Sequence, residues 1–317
     1  MTCINEFCAD IGTVNCPCPL AETGDCLVCS RLAGKSECDC NWSGVCVFNE
    51  YMQNDKVIRS IREEKSGKII KKIRYSRDLI VIVIQVGKGF ALEASTPGSF
   101  VFLNSKEKRS FYNVPISVMR ADIERGTIYI ALKEISAKTK VIADAEENIR
   151  IKGIYRNGFL GQGLMGLEED IKIGGRWLII TKGVGFAPVV NLMDNCGAAV
   201  MVDIIIDTDK INQEIVMDYL NSPGAGGKKA DTLTFESLQE IVSKEKLPHE
   251  PESYDKIMVF ASDYYIEEIR RILEIPKSKL VFCNNFRMCC GEGICGACSI
   301  VDEEGNVRKM CKCRNLI

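Results

Sequence analysis

Residues 176–195 read RWLIITKGVGFAPVVNLMDN. Trp177–Thr181 is a short, unbroken apolar run rich in β-branched residues, which predicts a buried strand. Gly183 and Gly185 interrupt it, and a helix is expected near Pro188–Asn195. Strand, tight glycine turn and helix open a βαβ unit. The alternation continues along the chain. Ala199–Ile206 reads as a strand, Asp209–Leu220 as a helix and Ser222–Lys229 as a loop. Phe235–Ser243 reads as a helix, Lys256–Ala261 as a strand, Tyr265–Leu273 as a helix and Leu280–Cys283 as a strand. The expected fold there is a doubly wound α/β domain with a parallel sheet.

Residues 51–150 carry a different pattern. Lys56–Ile61, Lys68–Tyr75, Leu79–Val86, Phe100–Leu103, Tyr112–Met119 and Thr127–Lys133 are rich in Val, Ile and Tyr. Short turns such as Gly87-Lys88-Gly89 and Thr96-Pro97-Gly98 separate them. Strands at this spacing predict a small all-β barrel.

A chain of 317 residues is too long for one core, so a multi-domain protein is expected. The net charge of −2 gives no electrostatic case for nucleic acid. The longest apolar run, Leu79–Ile84, is far short of a membrane span. Met1–Asp10 lacks the apolar core of an export signal, so a cytoplasmic protein is expected.

Cysteine is the anomaly. Of 17 cysteines, nine lie in residues 1–50 and seven in residues 283–313, with Cys196 alone between them. Cytosolic thiols stay reduced, so such clusters point to metal or iron–sulfur ligands rather than disulfides. The single histidine, His249, leaves thiolate as the main ligand type and fits a surface loop. Cys196 reads as a buried helix thiol.

Near the C-terminus, Cys290-Gly-Glu-Gly-Ile-Cys295-Gly-Ala-Cys298 is followed by Cys311 after twelve residues. C-x4-C-x2-C…C is the plant-type [2Fe–2S] spacing, and the small residues between ligands let the backbone approach sulfide. A four-cysteine zinc site favours closer pairs. Cys289 and Cys313 are adjacent spare thiols.

Barrel, α/β domain and C-terminal cysteine loop, in this order, resemble the electron-transfer subunit of dihydroorotate dehydrogenase, within the ferredoxin–NADP reductase superfamily. The resemblance spans roughly residues 55–313. Pro97-Gly-Ser-Phe-Val101 resembles P-G-Q-F-V, and Val114-Pro-Ile-Ser117 resembles R-P-I-S. Lys152-Gly-Ile-Tyr-Arg-Asn-Gly-Phe159 resembles G-P-x-G-N-G-F at the domain junction. Gly183-Val-Gly-Phe-Ala-Pro188 resembles the pyridine-nucleotide turn, and Met288-Cys-Cys-Gly291 the opening of the cluster motif.

The resemblance implies FAD against the barrel and hydride arriving from NAD(P)H. Electrons then leave singly through the cluster. It implies that Ser117 acts catalytically at the flavin N5 edge, with Pro115 and Ile116 shaping that side of the pocket. Ser136, Lys138 and Thr139 would take the flavin diphosphate, and Gly153, Asn157 and Gly158 would line the junction. Gly183, Gly185, Ala187 and Pro188 would receive the dinucleotide.

Four positions depart from the family pattern. Val114 replaces an arginine, with Arg109 the nearest substitute in sequence. Ser136-Ala-Lys-Thr139 replaces G-x-G-T, Ala261-Ser-Asp263 replaces C-G-P, and Lys182 replaces a glycine.

The resemblance does not cover residues 1–50. That segment has two basic against seven acidic residues and few large apolar ones, so metal is expected to hold it together. Cys16, Cys18, Cys26, Cys29, Cys38, Cys40 and Cys46 are the candidate ligands, with Cys3 and Cys8 ahead of them. Spacing leaves zinc and iron–sulfur open.

Four parts are expected: a cysteine-rich module at 1–50 and an FAD-binding barrel at 51–155. A pyridine-nucleotide-binding α/β domain follows at 156–279, then a [2Fe–2S] loop at 280–317. The function implied is an oxidoreductase subunit moving electrons between a pyridine nucleotide, FAD and iron–sulfur clusters. Its partner is a separate catalytic oxidoreductase subunit or a ferredoxin-like carrier. The alternative is a non-enzymatic iron–sulfur or zinc adaptor on a reductase-like fold that has lost nucleotide binding.

Overall fold

The computed structural model describes residues 8–58, 62–105, 113–164, 167–209, 211–224, 226–241, 247–302, 305 and 307–314. Cys3 and Arg109 lie outside them.

Seven antiparallel strands form the first sheet: β1 (Glu64–Arg74), β2 (Leu79–Gln85), β3 (Phe100–Ser105), β4 (Val114–Ser117), β5 (Arg120–Asp122), β6 (Thr127–Lys133) and β7 (Asn148–Tyr155). Their spatial order is β4-β3-β7-β1-β2-β6-β5, a half-barrel. The apolar run in β2 has a physical reason. Ile80, Ile82 and Ile84 point into the barrel core. Leu79 and Val81 point outward into a core shared with the α/β sheet. A strand buried on both faces cannot alternate with polar residues.

The second sheet contains β8 (Phe159–Leu160), β9 (Gly175–Lys182), β10 (Val200–Asp207), β11 (Thr232–Phe235), β12 (Lys256–Phe260) and β13 (Leu280–Cys283). The order β11-β10-β9-β12-β13-β8 is parallel except for the β8 edge. Helices Phe186–Asn195 and Gln213–Leu220 pack on one face and Asp263–Ile272 on the other. The fold class is therefore the expected one. Arg120 of β5 ties the two sheets together. It grips Asp194 through two bonds of 2.7 and 2.9 Å and donates to the Tyr219 carbonyl.

Several local expectations are corrected. Lys56 sits in a turn at φ +62°, so no strand begins there. Gly87, at φ +91°, precedes a helix over Lys88–Ala94 rather than closing a hairpin. Asn212 caps the helix Gln213–Leu220 by accepting from the Glu214 amide, which delays its start beyond Asp209. Thr232–Phe235 is a strand, because its β-branched and aromatic side chains pair in parallel with Asp203–Ile206. A short helix follows only at Leu238–Ile241.

β14 (Ser299–Val301) and β15 (Val307–Lys309) form a hairpin between Cys298 and Cys311. The N-terminal segment has two short helices, Pro19–Thr23 and Val47–Gln53. Its small core contains Ile11, Leu32, Val47 and Tyr51 together with buried Cys29. Among the described residues no helix is long and apolar enough to cross a membrane.

Candidate functional site

The parallel strands deliver their carboxyl ends to one edge of the sheet. The chain leaves β9 and β12 there toward helices on opposite faces, a switch point where α/β proteins form crevices. A cleft of about 640 Å³ opens at this edge against β4 and β6. It brings together Pro115, Ile116, Ser117, Gly158, Gly183, Gly185, Ala187 and Pro188. Eight of the positions expected to bind cofactor thus meet in one cavity.

The others stand elsewhere. Ser136 and Thr139 cap the helix Ala137–Asp144 reciprocally: each backbone amide donates to the other's side-chain oxygen, at 3.0 and 3.2 Å. The preceding residue, Ile135, lines the cleft, so this helix start adjoins it. Lys138 lies toward the cysteine loop near Cys289, whose pKa is nonetheless raised by burial and by the neighbouring Cys295 and Cys290. Gly153 packs inside β7, where a Cβ would meet Val101 at 3.1 Å. Asn157 is buried and donates to the Met310 and Cys313 carbonyls, at 2.8 and 3.2 Å. It anchors the cysteine loop instead of lining the cleft.

The turn between β9 and its helix is tight for a visible reason. A Cβ on Gly185 would lie 2.2 Å from the Phe260 carbonyl oxygen and 2.8 Å from Thr181 Oγ1. Gly185→Ala should therefore lower unfolding stability by about 1–3 kcal/mol through overpacking. A urea midpoint unchanged from wild type would show that the turn yields freely. Lys182 does not point a spare charge into the cleft. Its ammonium pairs with Asp207 at 2.6 Å and Asp209 at 3.4 Å. Those partners outweigh burial, so its pKa rises while that of Asp207 falls. Val114 packs against the barrel core and supplies no charge.

The cysteine loop lies directly behind the cleft. Phe100 and Tyr155 stack at 5.1 Å, and Phe102 meets Tyr155 edge-on at 5.0 Å. A Cβ on Gly291, at φ +73°, would fall 2.5–2.7 Å from the Tyr155 and Phe102 rings. Glycine lets the loop rest flat on these rings. Met288 packs on the same aromatic group and also lines the cleft.

The four expected C-terminal ligands converge. The Cys311 thiol bonds to Cys290 and pulls its pKa down to about 4. It likewise draws Cys298 down to about 6, and Cys311 itself is driven up. Cys295 contributes further hydrogen bonds to Cys290. Backbone amides also face the sulfurs: Glu292 to Cys290 at 3.3 Å, Gly293 to Cys311 at 3.2 Å and Cys311 to Cys298 at 3.3 Å. Neighbouring cysteines with backbone amides directed at three of their sulfurs fit iron–sulfur ligation. Cys313 turns into an apolar cluster with Leu160 and Met310, and burial pushes its pKa up to about 12.

A buried ionic group, not foreseen in the sequence, surrounds this loop. Lys312 donates to Asp10 at 2.6 Å and to Glu292 at 2.9 Å. Arg62 pairs with both carboxylates and donates to the Ile154 carbonyl. Lys152 reaches Glu292 at 3.2 Å, and the Tyr155 hydroxyl donates to it at 2.9 Å.

In the N-terminal segment, Cys16, Cys18 and Cys26 face a small common void. Cys29 is buried nearby, and the Cys38 and Cys40 sulfurs stand 3.9 Å apart near the surface. Cys46 is exposed at the start of Val47–Gln53. Among the described residues no three Cys, His, Asp or Glu side chains already close around one ion position.

An antiparallel half-barrel facing the switch point of a parallel sheet is the arrangement of ferredoxin–NADP reductase-like proteins. An NADH-dependent reduced ferredoxin–NADP oxidoreductase superimposes with a TM-score of 0.57 at 17% identity, covering 77% of this chain and 85% of that one. The FAD- and NADP-bound ferredoxin NADP+ reductase of Neisseria gonorrhoeae superimposes at 0.50 with 15% identity, covering 70% and 99%.

In sequence, the chain is a distant relative of the dihydroorotate dehydrogenase B (NAD(+)) electron transfer subunit of Clostridium acetobutylicum. They are 22% identical over 233 residues, 68% of this chain and 81% of that protein. An uncharacterized protein in the adh 3' region of Clostridium beijerinckii is 24% identical over 259 residues, covering 77% and 82%. No protein-family model matches the chain.

Proposed function

We propose that the protein is the electron-transfer subunit of an oxidoreductase, linking a pyridine nucleotide, FAD and a [2Fe–2S] cluster to a separate catalytic subunit or ferredoxin-like carrier. The observation that carries this reading is the continuity of cleft and cysteine loop. Met288 lines the cleft, and Cys290 is two residues further on. A flavin bound in the cleft would supply the two-electron to one-electron conversion.

Pro115, Ile116 and Ser117 would hold the flavin's barrel side, and Gly158 would flank it. The Ser136–Thr139 helix start would face its diphosphate. Gly183, Gly185, Ala187 and Pro188 would admit the dinucleotide. Cys290, Cys295, Cys298 and Cys311 would bind the cluster. Residues 1–50 form a further metal module, iron–sulfur or zinc. Residues 51–155, 156–279 and 280–317 serve as flavin, nucleotide and cluster parts respectively.

Three observations favour the second reading, a non-enzymatic adaptor. Ser136 and Thr139 already spend their hydroxyls on capping, Lys182 is already paired, and Val114 is apolar. Anaerobic purification with flavin, iron and sulfide quantification separates the two. Flavin bands with cluster absorption support the electron-transfer reading, and iron–sulfur absorption without flavin supports the adaptor.

Ser117 gives a finer test. Ser117→Ala should slow flavin reduction by NAD(P)H at least tenfold. Flavin affinity should fall only about fivefold, because one hydrogen bond contributes about 1 kcal/mol net. Stopped-flow reduction and flavin titration measure the two effects. Unchanged reduction would remove Ser117 from the reacting edge.

A further inference from the structure

We infer that Cys8, Cys16, Cys18 and Cys26 form one four-thiolate metal centre, seated directly against the C-terminal cysteine loop. This deepens the reading of residues 1–50 as a metal module and rests on it. All four cysteines line one small void of about 10 Å³, whose remaining walls include Asp10, Ile11, Leu20 and Val47. That volume is room for little more than one atom-sized group. Four cysteines around one small void offer a thiophilic metal its preferred ligands. The site takes one thiophilic ion, zinc or iron, and the two share this thiolate chemistry.

The partition is not the one that short spacings suggest. Cys26-x-x-Cys29 is the obvious chelating pair, and the Cys29 amide donates to the Cys26 sulfur at 3.4 Å. Yet Cys29 does not line the void, whereas Cys8 does. Cys8 is brought there by pairing with Cys313 and by the Ala9 amide donating to the Lys312 carbonyl at 2.8 Å. The sequence then resolves into two quartets, each a C-x-C pair with one cysteine on either side. Cys8, Cys16, Cys18 and Cys26 make the first, and Cys29, Cys38, Cys40 and Cys46 remain for the second. The 3.9 Å between the Cys38 and Cys40 sulfurs is close to the roughly 3.8 Å edge of a tetrahedral zinc tetrathiolate.

The first centre touches the C-terminal loop at three places. Cys8 pairs with Cys313. Asp10, between Cys8 and Cys16, holds the ammonium of Lys312, the residue after Cys311. Leu20 packs on Gly293, where a Cβ would lie 2.7 Å from its methyl carbon. With iron at the site, one-electron exchange with the C-terminal cluster would need no proton transfer and no bond change.

The test uses the full-length protein purified anaerobically, with zinc, iron and sulfide measured per chain. Cys8→Ser and Cys26→Ser should each remove the same single centre, and Cys29→Ser should spare it. Loss of one zinc or of one iron without sulfide identifies the metal, and either loss supports the site. Cys8→Ser retaining the full metal content overturns it, as does loss of the same centre in Cys8→Ser and Cys29→Ser.

Cys295→Ser tests the C-terminal cluster independently, so failure of one assignment is not failure of the other. Should Cys8→Ser not fold, stepwise chelation of wild-type protein followed by thiol alkylation and mass mapping still decides. Cys8, Cys16, Cys18 and Cys26 should lose protection together. Alkylation of Cys8 in metal-replete protein overturns the proposal.

Discussion

Cys295→Ser should remove the iron and sulfide of one [2Fe–2S] cluster and abolish the paramagnetic signal of the reduced protein, while flavin stays bound. Serine oxygen is a hard donor and ligates iron poorly where thiolate is required. Cys295 is the informative ligand because it is exposed, whereas Cys298 and Cys311 are only 4% and 2% accessible. Substitution of those two would confound cluster loss with damage to the packing around Leu160 and Met310. Iron analysis and low-temperature paramagnetic resonance read the result. Cys289 lies within hydrogen-bond reach of Cys295 and is a candidate to take its place. A signal that persists in Cys295→Ser and disappears in Cys289→Ser/Cys295→Ser would move that ligand from Cys295 to Cys289. A signal that survives both would sink the assignment.

The legibility of this chain follows from the range of the forces involved. The parallel sheet was readable because burial on both faces demands uninterrupted runs such as Trp177–Thr181, and those runs are local. The grouping of the C-terminal cysteines was readable because Cys290, Cys295 and Cys298 lie within nine residues. The helix Lys88–Ala94 was hidden by Gly87 and Gly89, since glycine signals a turn whether it ends a strand or caps a helix. Ser136 and Thr139 illustrate a second ambiguity. The hydroxyls that suit a phosphate also suit a capping box, and only coordinates show which backbone amides they meet. Asn157 sat in a recognisable junction motif, but its partners at Met310 and Cys313 lie more than 150 residues away. The ionic group around Glu292 was invisible for the same reason, because its members are scattered from Asp10 to Lys312.

That ionic group predicts a large loss of stability. Lys312→Met should lower unfolding stability by about 3–5 kcal/mol, the usual consequence of removing one partner from a buried ion pair. The Lys312 side chain is 1% accessible and those of Asp10 and Glu292 are 4% accessible, so water cannot replace the lost ammonium. Arg62 and Lys152 would remain, but Arg62 already serves both carboxylates and Lys152 reaches only Glu292. Asp10 would then share Arg62 with Glu292 and lose its second cation, and two buried carboxylates would lose a short hydrogen-bond donor between the N-terminal segment and the cysteine loop. Docking of the segment should therefore fail before the two large sheets unfold. Two probes distinguish these events: urea unfolding followed by Trp42 fluorescence for the segment, and far-UV circular dichroism for the sheets. The Trp42 transition should move to lower urea, and the other should move less. Asp10→Asn/Lys312→Met should recover part of the loss, because it removes one charge of each sign. If Lys312→Met unfolds like wild type on both probes, the group is not electrostatically coupled. Removing residues 1–50 would then leave the C-terminal cluster undisturbed. If the shift appears, that truncation removes a counter-charge from the cysteine loop as well as nine cysteines, and it should lower the iron retained at the C-terminal ligands too.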